Sequence, residues 1–132
     1  MPPKVSVVIP VYNVGKQLEK CLDSVVAQTF PDIEIIVVND GSTDNSPEII
    51  ARYADKDSRI VVIDKSNEGL AYARKSGIEA AQGEYIQHLD GDDFLEPDAI
   101  ELLYNKAIED AADMVVFPFW FDYVDEKKKR SS

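Results

Sequence analysis

The 132-residue chain holds one cysteine and one histidine. A lone cysteine, Cys21, excludes an internal disulfide and is compatible with a reducing compartment. It falls on an apolar helix face, where a small buried side chain is expected. A lone histidine, His88, leaves no second imidazole for a zinc site. It lies inside a strand-like run, which suits a core or sheet-face histidine. No apolar run approaches the ~20 residues a membrane helix requires. Met1-Pro2-Pro3-Lys4 leads directly into strand-like sequence, so no secretory leader is expected. Glycine-rich phosphate loops are missing too. No G-x-G-x-x-G follows the first apolar run, and no G-x-x-x-x-G-K-[ST] occurs, which argues against a dinucleotide oxidoreductase or a P-loop ATPase. Basic charge is in short supply: 14 basic residues face 25 acidic ones, for a net charge of -11. Nucleic acid and anionic membrane are therefore poor candidates for the main partner. Phosphates carried on a metal ion remain compatible with that charge. No internal repeat or composition shift marks a second domain.

What remains suits one domain with a real core. Hydrophobic residues make up 45% and charged residues 30% of the chain, as in folded globular proteins. Val5 to Pro10 and Ile33 to Val38 are continuous apolar runs of the kind buried on both faces of a parallel sheet. Pro10 is expected to end the first. Helical spacing follows each: Leu18, Cys21, Leu22, Val25 and Val26, then Ile49, Ile50, Tyr53 and Ala54. Ser46 and Pro47 read as the cap and first residue of the second helix. Arg59 to Ile63 is a third short strand, with Asp64 to Glu68 polar beyond it. Gly69 to Gln82 is a third helix with Leu70, Ala73, Gly77, Ile78 and Ala81 inside. Gly77 costs about 1 kcal/mol there relative to alanine, which close packing would explain. Gly83 is placed to end that helix. Glu84 to Leu89 is a fourth strand. A helix from Pro97 to about Ala112 follows, with Ile100, Leu103, Ala107 and Ile108 inside. Asp113 to Tyr123 reads as one strand, in which Pro118 implies an edge or a bulge. The domain is expected over residues 1–126, with 127–132 a solvated basic tail.

This alternation specifies a doubly wound α/β sheet, mainly parallel, with helices on both faces. Pro10 to Tyr12, Asn39 to Ser42 and Asp90 to Asp93 then lie at carboxyl ends of strands, where ligands bind if the strand order reverses. Asp90-Gly91-Asp92-Asp93 crowds three carboxylates together. Like charges so close favour a divalent cation with oxygen ligands. A solvated turn is the alternative.

Four stretches occur in order: Val5-Ser6-Val7-Val8-Ile9-Pro10-Val11-Tyr12-Asn13, Ile36-Val37-Val38-Asn39-Asp40-Gly41-Ser42-Thr43-Asp44, Asn67-Glu68-Gly69-Leu70-Ala71-Tyr72-Ala73-Arg74, and Leu89-Asp90-Gly91-Asp92-Asp93. From about residue 4 to 121 the chain resembles the nucleotide-binding half of family 2 glycosyltransferases, which have the GT-A, Rossmann-like fold. The resemblance implies inverting transfer of a sugar from a nucleotide diphosphate donor, usually UDP-linked, with Mg²⁺ or Mn²⁺. It implies a saccharide or lipid-linked acceptor and a role in cell-wall or polysaccharide synthesis. It also implies a cytoplasmic location, peripheral to the inner membrane face in a full-length protein. By the same resemblance Pro10, Val11 and Tyr12 line the base pocket, Asp40 accepts from the base, and Arg74 approaches the base or the diphosphate. Asp90, Gly91 and Asp92 match the family's D-x-D, with Asp90 towards the ribose and Asp92, helped by Asp90, on the metal. Asn67 and Gly69 belong to the donor loop.

On the residues alone, other readings stand beside these. Tyr12 could cap the sheet edge, Asp40 could serve a turn or helix cap, and Arg74 could be a surface charge. Asn67 and Gly69 could only shape their loop. Lys75 stands where the family often has Asn. General-base catalysis needs a group within reach of the acceptor proton, and Asp122, Asp125 and Glu126 read as tail residues instead. The catalytic base is therefore expected outside this chain, which reads as the donor-binding portion of a longer enzyme. The alternatives to glycosyl transfer are nucleotidyl transfer and a non-catalytic metal- or nucleotide-binding α/β module.

Overall fold

The computed structural model describes residues 2–110, 114–116 and 120–123. Elements run β1 (Val5–Val11), α1 (Gly15–Val26), β2 (Ile33–Asp40), α2 (Ser46–Lys56), β3 (Ile60–Lys65), α3 (Leu70–Ala80), β4 (Tyr85–His88), α4 (Ala99–Asp110), β5 (Met114–Val116) and β6 (Trp120–Tyr123). They form one sheet in the order β3-β2-β1-β4-β6-β5. The first four strands are parallel, and β6 is antiparallel to both β4 and β5.

Every residue of β1 is buried, as its unbroken apolar run requires for a strand covered on both faces. Side chains alternate between the faces. Val5, Val7, Ile9 and Val11 join Ile35 and Val37 under α1, α2 and α4. Val8, Ile36 and Val38 point the other way, against Ile78 and Ala73 of α3. Gly77 is where α3 meets β1: a methyl group there would overlap the Val8 side chain. The close packing expected from that glycine is what the fold uses it for.

Several boundaries differ from the sequence reading. Pro10 lies within β1, paired with Val38, and the strand ends at Val11. β2 continues through Asn39 and Asp40, which carries both side chains to the rim on a strand instead of a loop. β3 includes Asp64 and Lys65. The cap position of α2 is Asn45, and the Ser46 hydroxyl turns away to accept the Val14 amide at 3.3 Å. α3 ends at Ala80, and Gly83 instead lets the chain press against β1, its amide donating to Ser6 Oγ at 2.8 Å. α4 starts at Ala99, two residues beyond Pro97. Leu70 and Ile108, assigned to helix interiors by periodicity, are 49% and 54% exposed. The last strand is two strands, and Asp122 lies within β6, opposite Ile86. Pro118, Asp125, Glu126 and the tail 127–132 lie outside the described residues.

Candidate functional site

β1 is flanked by β2 on one side and β4 on the other, so the strand order reverses at its carboxyl end. A crevice opens there, and four loops meet around it.

The loops are tied to one another. Asn13 adopts a positive φ of 51°, which asparagine tolerates better than most residues. That turn aims its Oδ1 at the β2–α2 loop, where it accepts the amides of Thr43 at 2.7 Å and Asp44 at 3.3 Å. The Asn13 amide donates to Ser42 Oγ at 3.1 Å. Asp44 Oδ2 accepts the Gly15 amide at 2.9 Å, at the first turn of α1, where a carboxylate suits the helix dipole. Partial desolvation pushes the Asp44 pKa up, but hydrogen bonds from the Ser46 hydroxyl and the Ser46 and Gly15 amides outweigh it. The net result is a carboxyl below its ordinary 3.8.

Asp40 ties the next pair. Its carboxylate is 2% exposed. Oδ1 accepts the Glu68 amide at 3.0 Å, and Oδ2 accepts the Gly69 amide at 3.0 Å and Asn67 Nδ2 at 3.2 Å. Asn67 Nδ2 also donates to the Asp40 carbonyl at 3.0 Å. Gly41 has φ 73° and sits so close that a methyl group would lie 2.7 Å from the Asn67 nitrogen. Gly69, with φ 104°, makes the turn into α3. Asp40 thus serves a turn and a helix entry, one of its two sequence readings. With two lone pairs per carboxylate oxygen, Oδ1 keeps one acceptor position.

Pro10, Val11, Tyr12, Asp40, Asn67 and Gly69 line one recess of about 310 Å³. Leu70 and Ala73 complete it. Their i, i+3 spacing on the face that also carries Arg74 was the available signal, though the same spacing fits a core face. Tyr12 is 50% exposed at the recess mouth. Recesses of about 330 and 380 Å³ lie between α1 and α2 and between α2 and β3. Size does not separate the three; only the first lies where the sheet topology places a ligand.

The acidic loop borders this recess. The Gly91 amide donates to the Pro10 carbonyl at 3.2 Å, and Asp93 closes a turn onto the Asp90 carbonyl at 2.9 Å. Gly91 does not have a positive φ. It is needed for close approach, since a methyl group would lie 3.0 Å from the Val14 side chain. Carboxylate oxygens of Asp90, Asp92 and Asp93 come within 4.8 Å of one another. At that separation each like-charge pair costs about 1 kcal/mol in water-like surroundings. Burial, then Asp92 and Asp90, raise the Asp93 pKa above its ordinary value. Arg74 reaches Asp90 Oδ1 at 2.9 Å, so it is engaged at the site rim. Among the described residues no ion pair reaches Asp92 or Asp93. Three oxygen donors with a single cationic partner fit a hard divalent cation. Cys21 is fully buried beneath the loop, its Sγ 3.7 Å from the Asp90 carbonyl. Burial, then the charges of Asp93, Asp92 and Asp90, push that thiol up to about 12, so it stays protonated at neutral pH. His88 is 8% exposed within β4, as expected of a sheet histidine. Among the described residues no helix is long and apolar enough to cross a membrane.

Comparison with known proteins bears on the family and the fold. The chain is 48% identical over 113 residues to glycosyltransferase GlyA of Streptococcus pneumoniae, covering 86% of this chain and 16% of GlyA. The structure of S. aureus TarS 1-349 in complex with UDP superposes with a TM-score of 0.79 at 29% identity, covering 84% of this chain and 34% of that one. A mannosyltransferase from Pyrobaculum calidifontis, in complex with GDP-Man and Mn²⁺, gives a TM-score of 0.65 at 28% identity, over 71% of this chain and 29% of that one. The chain spans between 16% and 38% of the length of the first three curated relatives it matches. The sequence model of Glycosyl transferase family 2 matches residues 6–132. With that match and the shared GT-A sheet, the chain belongs to glycosyl transferase family 2.

Proposed function

We propose that this chain is the donor-binding portion of an inverting glycosyltransferase that takes a UDP-sugar and transfers its sugar to a saccharide or lipid-linked acceptor. The observation that carries the reading is that the Asp90, Asp92 and Asp93 cluster is joined to the wall of the 310 Å³ recess by the bond from the Gly91 amide to the Pro10 carbonyl. A recess with apolar walls and one acceptor suits a base, and clustered carboxylates beside it suit the cation of a diphosphate.

In this reading Pro10, Val11 and Tyr12 form the walls against the base, and Ala73 and Leu70 close the α3 side. The remaining acceptor position on Asp40 Oδ1 receives the base imide. Asn67 and Gly69 hold the loop that presents it. Arg74 draws the diphosphate while steadying Asp90. Asp92 and Asp90, with Asp93 beside them, would hold Mg²⁺ or Mn²⁺. That cation would offset charge developing on the departing nucleoside diphosphate. No catalytic base or acceptor contact is assigned among the described residues. Asp122, the one acidic candidate among the described residues beyond α4, is committed to a sheet strand. The parent enzyme works in cell-wall or polysaccharide synthesis, peripheral to the inner face of the membrane.

The test is calorimetric titration of UDP into the chain, with and without MnCl₂. Binding that tightens with Mn²⁺ supports the reading. Binding that ignores Mn²⁺ removes the cation from it, and no binding of UDP in either condition removes the donor site altogether.

A further inference from the structure

The acidic loop must hold three mutually repelling carboxylates at one spot, and its own hydrogen bonds do little of that. Within residues 90–98 the backbone closes one turn, Asp93 onto Asp90. Gly91 is tied to the Pro10 carbonyl and Asp90 to Arg74; further along, the anchorage comes from α1 and the turn that follows it. Cys21 Sγ lies against the Asp90 carbonyl. Ser24 Oγ donates to the Cys21 carbonyl at 2.6 Å and accepts the Leu95 amide at 3.0 Å. Gln28 is 7% exposed and uses its whole amide. Its Nε2 donates to the Glu96 carbonyl at 2.6 Å and to the Ser24 carbonyl at 2.9 Å, while Oε1 accepts the Ile100 amide at 3.0 Å. The Lys20 ammonium sits 4.0 Å over the Phe94 ring, and the Thr29 amide reaches the Pro97 carbonyl at 2.9 Å.

Cys21 and Ser24 share one face of α1, and Gln28 follows in the turn just beyond its end. Each meets the loop at a successive point, 90, 95, then 96 and 100. α1 and the turn after it therefore act as a splint along the loop from the acidic cluster to the first turn of α4. Buried polar side chains satisfied by main-chain partners fix a backbone path more narrowly than apolar packing does. The base recess has no share in these bonds.

We propose that Ser24 and Gln28 are positioning residues for the cation site: they act through the backbone of residues 90–96 to hold the Asp90 and Asp92 carboxylates where one ion can engage both. This rests on the proposed donor site. Neither residue touches nucleotide or metal.

The experiment compares the intact 132-residue chain with Ser24→Ala, Ser24→Thr and Gln28→Ala, each titrated with UDP alone and with UDP plus MnCl₂. Thermal melts establish the folded fraction. Ser24→Ala and Gln28→Ala should bind UDP alone within about twofold of the unaltered chain, because the recess is untouched. Their gain on adding Mn²⁺ should fall about tenfold, as when groups that orient metal ligands are removed. Ser24→Thr keeps the hydroxyl and should retain the gain. A merely structural role would lower the melting temperature and leave the Mn²⁺ gain of the folded protein intact. An unchanged gain in Ser24→Ala overturns the proposal even if Gln28→Ala does not fold. If the unaltered chain binds UDP but gains nothing from Mn²⁺, the cation site falls and takes this proposal with it while the base recess stands; if it binds no UDP at all, the donor-site reading itself falls.

Discussion

The two halves of the crevice are built on opposite electrostatic terms. On the recess side, the Asp40 carboxylate is buried and receives three hydrogen bonds, two of them from backbone amides. On the acidic side, Asp92 and Asp93 are exposed and crowd Asp90, with one arginine to share. On the recess side the Asp40 carboxylate already has its partners within the protein. The acidic loop has a fixed main chain but unspent side-chain charge. A buried carboxylate is tolerable only when hydrogen-bonded; an exposed one tolerates a repulsive neighbour because water screens it. The same residue type therefore stabilises the fold on one side and strains it on the other.

The sharpest way to break this contrast is to remove Asp40. In Asp40→Ala the Glu68 and Gly69 amides and Asn67 Nδ2 lose a buried acceptor, although Asn67 and Glu68 themselves are exposed. A stability loss of about 2 to 4 kcal/mol is expected in urea unfolding, together with loss of UDP binding. A variant as stable as the parent would show that the loop does not depend on that clasp. Gly77→Ala attacks the recess from beneath. Its methyl group would meet Val8 on β1 and lever α3 outward, which should cost about 1 to 3 kcal/mol. UDP affinity should fall, and the Arg74 contact with Asp90, carried on the same helix, should loosen with it.

Asp92→Asn probes the other half and should move stability in the opposite direction. Removing one charge relieves repulsion, so the metal-free protein should gain a few tenths of a kcal/mol, in the range of exposed charge pairs. The same change should abolish any Mn²⁺-dependent gain in UDP affinity. Destabilisation of the metal-free chain by Asp92→Asn would mean that the cluster is already satisfied, and the contrast would fail.

The sheet was legible in the chain where burial was complete. β1 and β2 read directly as unbroken apolar runs because both faces are covered. β3 was harder to delimit, since it is an edge strand with Val61 and Val62 exposed. The final hairpin merged into one strand because its apolar character continues from Met114 to Tyr123. Leu70 and Ile108 show the limit of periodicity. Spacing says which residues share a face of a helix, but whether that face meets the sheet depends on where the helix ends. Pro10, Val11, Tyr12 and Asp40 were within reach because strand ends converge once the topology is known; Asn67 and Gly69 were singled out only by the family resemblance. The contacts of Asn13 with Thr43 and Asp44, and of Gln28 with Glu96 and Ile100, were not. They join positions about 30 to 70 apart in the chain, and nothing local to either partner names the other.

The smallest expected effect concerns pH, and it isolates the recess side. Asp44 has a folded pKa below its ordinary 3.8, held there by the hydrogen bonds from Ser46 and the Gly15 amide that outweigh its desolvation. A carboxyl whose folded pKa is depressed contributes stability that is fully present above the unfolded value. That contribution is lost as pH falls through the folded one. Asp44→Asn should therefore cost a modest amount of stability at neutral pH. The difference from the parent should stay constant down to about pH 5 and shrink below pH 4. Urea midpoints of both proteins between pH 3 and 7 measure it. Because Asp44 is exposed, added salt should weaken the effect as well. If the difference instead grows as pH falls, the Asp44 contact favours the protonated acid, and the loop is held by Asn13 and by the Val14–Ser46 bond.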